Sequence, residues 1–202
     1  MGHSVDDYAT AVVDGLVPAG TYHRLACVRH LKDRAREATP EFPYRFDLER
    51  AERFFRFTEK LNHYKGEWAG QFIVLQPFQV FRLGSVFGWV HIETGFRRFR
   101  NVYNELPRKQ GKSLEAAVVA LYVTFFDGEP GGEGYCAATK RGQAMIVFHD
   151  CKQLVASSGL KTRLVVQVAN IHRLDTASKL EPLSADYNSM DGLNPNLVTI
   201  DE

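Results

Sequence analysis

The chain has 202 residues, with 25 basic and 24 acidic side chains and 45% hydrophobic residues. This balance is typical of a folded globular domain, and it argues against a disordered chain or a uniformly polycationic nucleic-acid-binding protein. Any contact with DNA would therefore have to come from local basic patches.

Cysteine usage and the apolar segments predict a soluble protein of a reducing compartment. Cys27, Cys136 and Cys151 show no CxxC spacing, which favours free thiols over a zinc site or a disulfide framework. The first residues lack the basic and apolar regions of a secretory signal. The longest apolar run, residues 116–126, is shorter than the roughly 20 residues that a membrane-spanning helix needs.

The pattern of the first 75 residues predicts a helical front segment. Apolar and basic positions at helical spacing continue from Val5 to about Glu59, with breaks at 18–20 and 38–43. Asp47 is expected to cap a helix over 47–61.

From residue 76 the pattern alternates between helices and strands. The predicted helices cover 77–90, 112–126 and 141–157. The predicted strands cover 99–106, 134–139, 164–169 and 197–200. The β-branched run 164–169 is typical of a buried parallel strand, and 175–196 is predicted to be loop. This alternation predicts an α/β fold with a mostly parallel sheet.

The segment Pro107–Ser113 ends in Gly111-Lys112-Ser113 and is predicted to lie between a strand and a helix, as a phosphate-binding P-loop does. In such a loop backbone N–H groups surround phosphates, the lysine supplies positive charge and the serine hydroxyl ligates magnesium. Lys112 and Ser113 would take these roles. The motif is imperfect, because Leu106 stands where the usual first glycine belongs.

A second motif closes the sequence, where the apolar strand 197–200 runs into Asp201 and Glu202. Parallel sheets bind ligands at the carboxyl ends of their strands, so this segment is interpreted as a Walker B motif. Asp201 would hold magnesium through water, and Glu202 would activate the attacking water as general base. The alternative is an ordinary core strand with a solvated acidic end.

Gln79 is a candidate for adenine recognition. A side-chain amide both donates and accepts, and so can match N6 and N7 of adenine together. The alternative is a plain surface glutamine at the start of a helix.

A series of segments spans nearly the whole chain. They are Asp47–Ala51, Gly66–Gly70, Leu75–Gln79, Phe87–Val90, Thr94–Arg100, Pro107–Ser113, Ala137–Thr139 with Gln143–Ala144, and Asp191–Pro195. In order and spacing these segments resemble the large subunit of tailed-phage terminases.

The resemblance implies a P-loop NTPase of the ASCE type, with 1–75 as a helical segment packing on an ATPase core that covers 76–202. It accommodates Leu106 and implies that Arg108 senses the γ-phosphate and couples hydrolysis to motion. The alternative is that Arg108 is a solvated loop cation. It also favours Gln79 as the adenine contact. The implied nucleotide-binding residues are Gln79, Arg108, Lys109, Gln110, Gly111, Lys112 and Ser113. Catalysis is assigned to Glu202, Lys112 and Arg108, and the metal to Ser113 and Asp201.

The family implies ATP and Mg²⁺ as cofactors and an ATPase that moves double-stranded viral DNA into a procapsid. The implied partners are the terminase small subunit, the capsid portal protein and further copies in a ring, in the host cytoplasm. The C-terminal nuclease of such proteins is expected to be missing after Glu202. Two alternatives stay open: a catalytically incomplete remnant that only binds nucleotide, and a helicase-type translocase. The basic runs 29–36 and 97–100 are either DNA-facing or solvated.

Overall fold

The computed structural model of the chain describes residues 4–138, 141–183 and 192–201, the side chains of 141–143 excepted. The chain forms two compact units. The first contains Met1–Glu59 and Val74–Tyr103, and the second contains Lys60–Ile73 and Asn104–Glu202. The two-part division expected at residue 75 stays a prediction.

The first unit is mainly helical, as predicted for the front segment. Its elements are α1 (Val5–Val13), α2 (Thr21–Ala35), β1 (Tyr44–Phe46), α3 (Leu48–Thr58), α4 (Pro77–Gly88) and β2 (Trp89–His91). The predicted cap of α3 is confirmed, because the Asp47 carboxylate accepts the N–H of Arg50 at 3.2 Å. β1 and β2 form an antiparallel pair.

A buried histidine organises the core of the first unit. The indole N–H of Trp89 donates to Nδ1 of His30 (3.1 Å), and Nε2 of His30 lies 2.7 Å from Asp6. Since an indole nitrogen can only donate, Nδ1 is the acceptor and Nε2 carries the proton that bonds Asp6. This chain of hydrogen bonds joins α1, α2 and β2.

The second unit is an α/β sheet with flanking helices, and the predicted fold class is confirmed. Its elements are α5 (Lys112–Phe125), β3 (Glu133–Ala137), α6 (Arg141–Ser157), a short 3₁₀ helix (Leu160–Thr162), β4 (Val165–Val166), β5 (Ile171–Arg173), β6 (Ser178–Leu183) and β7 (Pro195–Ile200). The strand order is β4-β5-β6-β3-β7. β3 runs parallel to both of its neighbours, whereas β4, β5 and β6 pair antiparallel.

The strand predicted over 99–106 is wrong. Residues 101–107 adopt no regular structure, and the apolar side chains that should have driven burial, Val102 and Tyr103, are 54% and 87% exposed. Phe99 and Leu106, the other apolar residues of this stretch, are only half-buried, so no apolar face of 99–106 is buried as a strand of the sheet would require.

Two further sequence predictions are wrong in the second unit. The run 164–169 is not a buried parallel strand, because only Val165 and Val166 pair, antiparallel to β5 at the edge of the sheet, and both are exposed. The stretch 175–196 is not all loop, because it contains β6, which pairs in parallel with β3. Residues 184–191 lie outside the described part of the chain.

Four other elements agree with prediction, whereas β5 was not predicted and the helix predicted over 77–90 ends at Gly88, where β2 begins. α5, β3, α6 and β7 lie within two residues of the ranges predicted for them. All three cysteines are free and buried. No helix among the described residues has the length and apolarity required to cross a bilayer.

Candidate nucleotide-binding site

The position of α5 on the sheet determines the site. At the far end of the helix, Nδ2 of Asn196 at the start of β7 donates to the carbonyl of Val123 (3.3 Å). From Ser113 to Val123 the helix rises about 15 Å, and from Asn196 to Asp201 a strand advances about 17 Å. α5 therefore runs antiparallel to β7 with nearly matched length, and the first turn of the helix meets the carboxyl end of the strand.

A glycine in β3 allows this close packing. A Cβ at Gly134 would lie 2.0 Å from the hydroxyl of Thr124 on α5 and 2.9 Å from Leu180 on β6. Any larger residue would push the helix away from the sheet. Gly134 is thus required for the helix to sit at the distance that the site needs.

The segment before α5 is an exposed turn. Gly111, the N-cap residue of α5, has a φ of +76°, and Lys109 has a φ of +65°. Left-handed backbone is uncommon for a residue with a side chain, so the chain turns sharply here twice within three residues. Arg108, Lys109, Gln110 and Gly111 are exposed, which leaves this turn accessible to a phosphate group.

A side-chain hydrogen bond, rather than a strand, ties the start of the loop to the helix. Nδ2 of Asn104 donates to Oε1 of Glu115 in the first turn of α5 (3.2 Å). The sequence analysis missed this pair. The available signal was an acid in the first helical turn, which is a common feature of helix N-termini and points to no particular partner.

The two residues predicted to hold magnesium lie in contact. Oγ of Ser113 donates to Oδ2 of Asp201 at 2.8 Å. The backbone N–H of Asp201 donates to the carbonyl of Ala137 (3.3 Å), the last residue of β3, so the carboxylate extends from the carboxyl edge of two parallel strands. The residues predicted to belong to Walker A and Walker B motifs are thereby brought together.

This donor set fits a magnesium ion bound with a nucleotide. A hydroxyl and a carboxylate are hard oxygen ligands, and magnesium in phosphate sites takes one or two protein oxygens and completes its shell with phosphate and water. In the described part of the chain no group of three or more His, Cys, Asp and Glu side chains is placed to hold a metal. Phosphate oxygens would therefore supply the ligands that Ser113 and Asp201 do not.

Two predicted site residues are not located by this geometry. Gln79 lies in the first unit, in the first turn of α4, where its Oε1 accepts the backbone N–H of Gln76 (3.0 Å). That bond orients the amide, and its role toward adenine stays a prediction. Glu202 lies outside the described residues, so its role as general base also stays a prediction.

A sequence model of the terminase large subunit ATPase domain matches residues 77–202, which is more than half of the chain. The chain belongs to the terminase large subunit ATPase family. The matched region of this terminase ATPase chain includes the P-loop, Asp201 and Glu202, and the predicted resemblance is confirmed.

A solved structure supports the same fold. The present chain is similar to the crystal structure of the large terminase of bacteriophage HK97, with a TM-score of 0.61 and 23% sequence identity. The match covers 76% of the present chain and 31% of the HK97 chain. The present chain thus spans about a third of the length of that protein. A comparison with curated proteins gives no significant match.

Proposed function

We propose that this chain is the ATP-hydrolysing part of a DNA-packaging motor that moves double-stranded viral DNA into a procapsid. The observation that carries the proposal is the 2.8 Å contact between Ser113 and Asp201, because these two oxygen ligands would together hold the magnesium ion of a bound nucleotide. Membership in the terminase large subunit ATPase family supports the assignment of that site to a packaging motor.

The loop and the helix would bind the phosphates. Backbone N–H groups from Lys109 to Lys112 and the positive end of α5 attract anionic oxygens, and the Lys112 ammonium adds a full charge at the first helical position. Ser113 and Asp201 would hold Mg²⁺. When bound, magnesium neutralises charge on the β- and γ-phosphate oxygens during transfer.

Three further residues have proposed roles toward the nucleotide and the attacking water. Glu202 would accept a proton from the attacking water, as the second acid of a Walker B motif does. Arg108, exposed in the turn before α5, would respond to the γ-phosphate and pass its loss to the rest of the motor. Gln79 would bind adenine through its amide.

The ATPase proposal is tested by magnesium-dependent ATP hydrolysis and by binding of a fluorescent ATP analogue. Lys112→Ala is expected to reduce both at least tenfold, because the loop loses its positive charge at the phosphates. Lys161→Ala is the matched control, since Lys161 is an exposed lysine of the same unit outside the loop. Equal binding by both variants and the unaltered chain would contradict the proposed site.

The alternative of a nucleotide-binding remnant makes a different prediction in the same assays. Such a chain would bind ATP with magnesium, lose binding on Lys112→Ala, and show no hydrolysis in either form. The proposed partners, which are the small subunit, the portal protein and other copies of the chain, follow from the family.

A further inference from the structure

One exposed face of α2 carries a row of cations. Arg29, Lys32 and Arg36 follow one another at i, i+3 and i+7 and are all exposed, and we call them the α2 cationic stripe. They border a shallow groove of about 440 Å³ that is also lined by Leu25, Val28 and Asp33. Because residues at this spacing share one helical face, the charges form a line.

Positive charge is in excess along this groove. Asp33 is buried (1% exposed), and its carboxylate already accepts from two guanidinium groups, Arg36 at 2.7 Å and Arg98 at 2.5 Å. Among the described residues, Arg29 and Lys32 form no ion pair. The stripe thus concentrates positive charge in a chain whose net charge is only +1.

Aromatic rings support two of the three cations. The guanidinium of Arg29 lies 4.9 Å from the ring centre of Phe99, and that of Arg36 lies 4.3 Å from that of Phe42. Cation–π contact restricts these long side chains before any ligand arrives. Binding an anion therefore costs less side-chain entropy than it would for freely rotating cations.

We propose that the α2 cationic stripe binds the phosphate backbone of duplex DNA. Arg29 and Arg36 are separated by about 10 Å along the helix axis, and one DNA strand advances about 3.4 Å per phosphate. The row is thus about as long as three phosphate steps along the DNA axis, so its three cations can lie along the phosphates of one strand. The inference rests on the proposed function, and it deepens that function by naming residues that would hold the DNA.

The regular spacing favours DNA over an acidic protein surface. Phosphates form a continuous line of charge, and the cations of the stripe follow one line at intervals of three and four residues, whereas carboxylates on a folded protein rarely repeat in this way. Phosphate contact also carries no sequence information, so affinity should be the same for AT-rich and GC-rich duplexes. A motor that moves an entire genome requires such indifference.

The test is fluorescence anisotropy of a labelled 30-base-pair duplex titrated with the full chain between 50 and 200 mM NaCl. The variant with Arg29→Gln and Lys32→Gln removes two contacts. At 50 mM NaCl this variant should bind the duplex at least about tenfold more weakly than the unaltered chain does. The magnitude of the slope of log K against log salt concentration should fall by about 1.8. Lys32→Gln alone, which removes an exposed side chain, should lower the slope by about 0.9.

Two variants control for charge and folding. Lys161→Gln with Arg163→Gln removes two exposed cations of the second unit and should leave DNA affinity within twofold. Exchanging the cations, as Arg29→Lys with Lys32→Arg, keeps both charges and should retain binding. Circular dichroism and ATP affinity should be unchanged in all of these variants.

Three outcomes would overturn the proposal: equal loss of binding in the stripe variant and the second-unit control, displacement of DNA by polyglutamate at equal charge concentration, and no DNA binding by the unaltered chain. If that unaltered chain still binds magnesium–ATP, the proposed nucleotide function survives and only the DNA surface fails. Loss of nucleotide binding with DNA binding intact would have the opposite meaning.

Discussion

The hydroxyl of Ser113 and the carboxylate of Asp201 lie 2.8 Å apart although 88 residues separate them in the chain. Their contact depends on α5 lying antiparallel along β7, so that the start of the helix faces the end of the strand. The same arrangement places the positive end of α5 next to the carboxylate of Asp201.

The first prediction concerns this pair. Ser113→Ala and Asp201→Ala should each abolish the gain in ATP affinity that magnesium provides, because each removes an oxygen ligand of the ion. Isothermal titration with ATP and either MgCl₂ or EDTA measures that gain. Ser113→Thr keeps the hydroxyl and should preserve the gain in ATP affinity. If magnesium raises the ATP affinity of Asp201→Ala as much as that of the unaltered chain, Asp201 does not bind the ion.

The second prediction concerns the left-handed turn before α5. Gly111→Ala should lower the free energy of unfolding by about 1 kcal/mol, because a Cβ disfavours positive φ, and should also weaken ATP binding. Gly128→Ala is the matched control, since Gly128 has a φ of +100° and an equally open Cβ position. It should cost similar stability and leave ATP binding intact. If both variants bind ATP alike, the shape of the turn does not matter to the nucleotide.

The third prediction concerns the packing of α5 on β3. Gly134→Ala should destabilise the chain by about 1–3 kcal/mol, since the new methyl group overlaps Thr124. The Thr124 hydroxyl is buried and has no hydrogen-bond partner among the residues that the structure describes, so adding Thr124→Ala relieves the overlap at little cost. Urea unfolding of the double variant should recover at least half of the loss. If the double variant is no more stable than Gly134→Ala alone, the clash is not with Thr124.

The fourth prediction is a loss of stability in mild acid. Burial lowers the pKa of His23, His30 and His63 from the usual 6.5; at His30 the hydrogen bond to Asp6 opposes this shift. Near pH 6.5 the unfolded chain therefore binds more protons than the folded chain does. The free energy of unfolding should be constant above about pH 7.5 and should fall as the pH drops below 6.5.

Urea unfolding at pH 8, 7, 6 and 5 measures this dependence, with a slope of at most about 1.4 kcal/mol per pH unit for each histidine. His30→Gln should make the decline shallower. The low pKa of Asp6, which burial opposes and His30 and Arg34 cause, affects stability only below about pH 4 and does not overlap this range. A stability that rises between pH 7 and 5 would contradict the prediction.

The sequence predicted several local elements correctly. Gly111-Lys112-Ser113 begins a helix, Asp201 follows a strand, and Asp47 caps α3, because each of these depends on neighbouring residues, on helix propensity or on a short apolar run. The resemblance to terminases rests on the order of such segments and is confirmed by the family match to residues 77–202.

Errors occurred where the partner of a segment decides its structure. Val165 and Val166 have strand propensity, yet they sit at an exposed edge because only β5 pairs with them. β6 was missed although Ser178 and Leu180 are buried and alternate with Lys179 and Glu181, a period of two that Pro182 and the polar residues obscured. Residues 99–106 have an alternating pattern that predicts a strand, yet 101–107 adopt no regular structure.

The sequence by itself therefore determined which side chains are available to the predicted site: the hydroxyl of Ser113, the ammonium of Lys112 and the two acids Asp201 and Glu202. Only the tertiary structure decided that Ser113 meets Asp201 and that Gly134 lets α5 approach the sheet. Local patterns record the preferences of neighbouring residues, whereas the distance between two segments depends on every side chain packed between them.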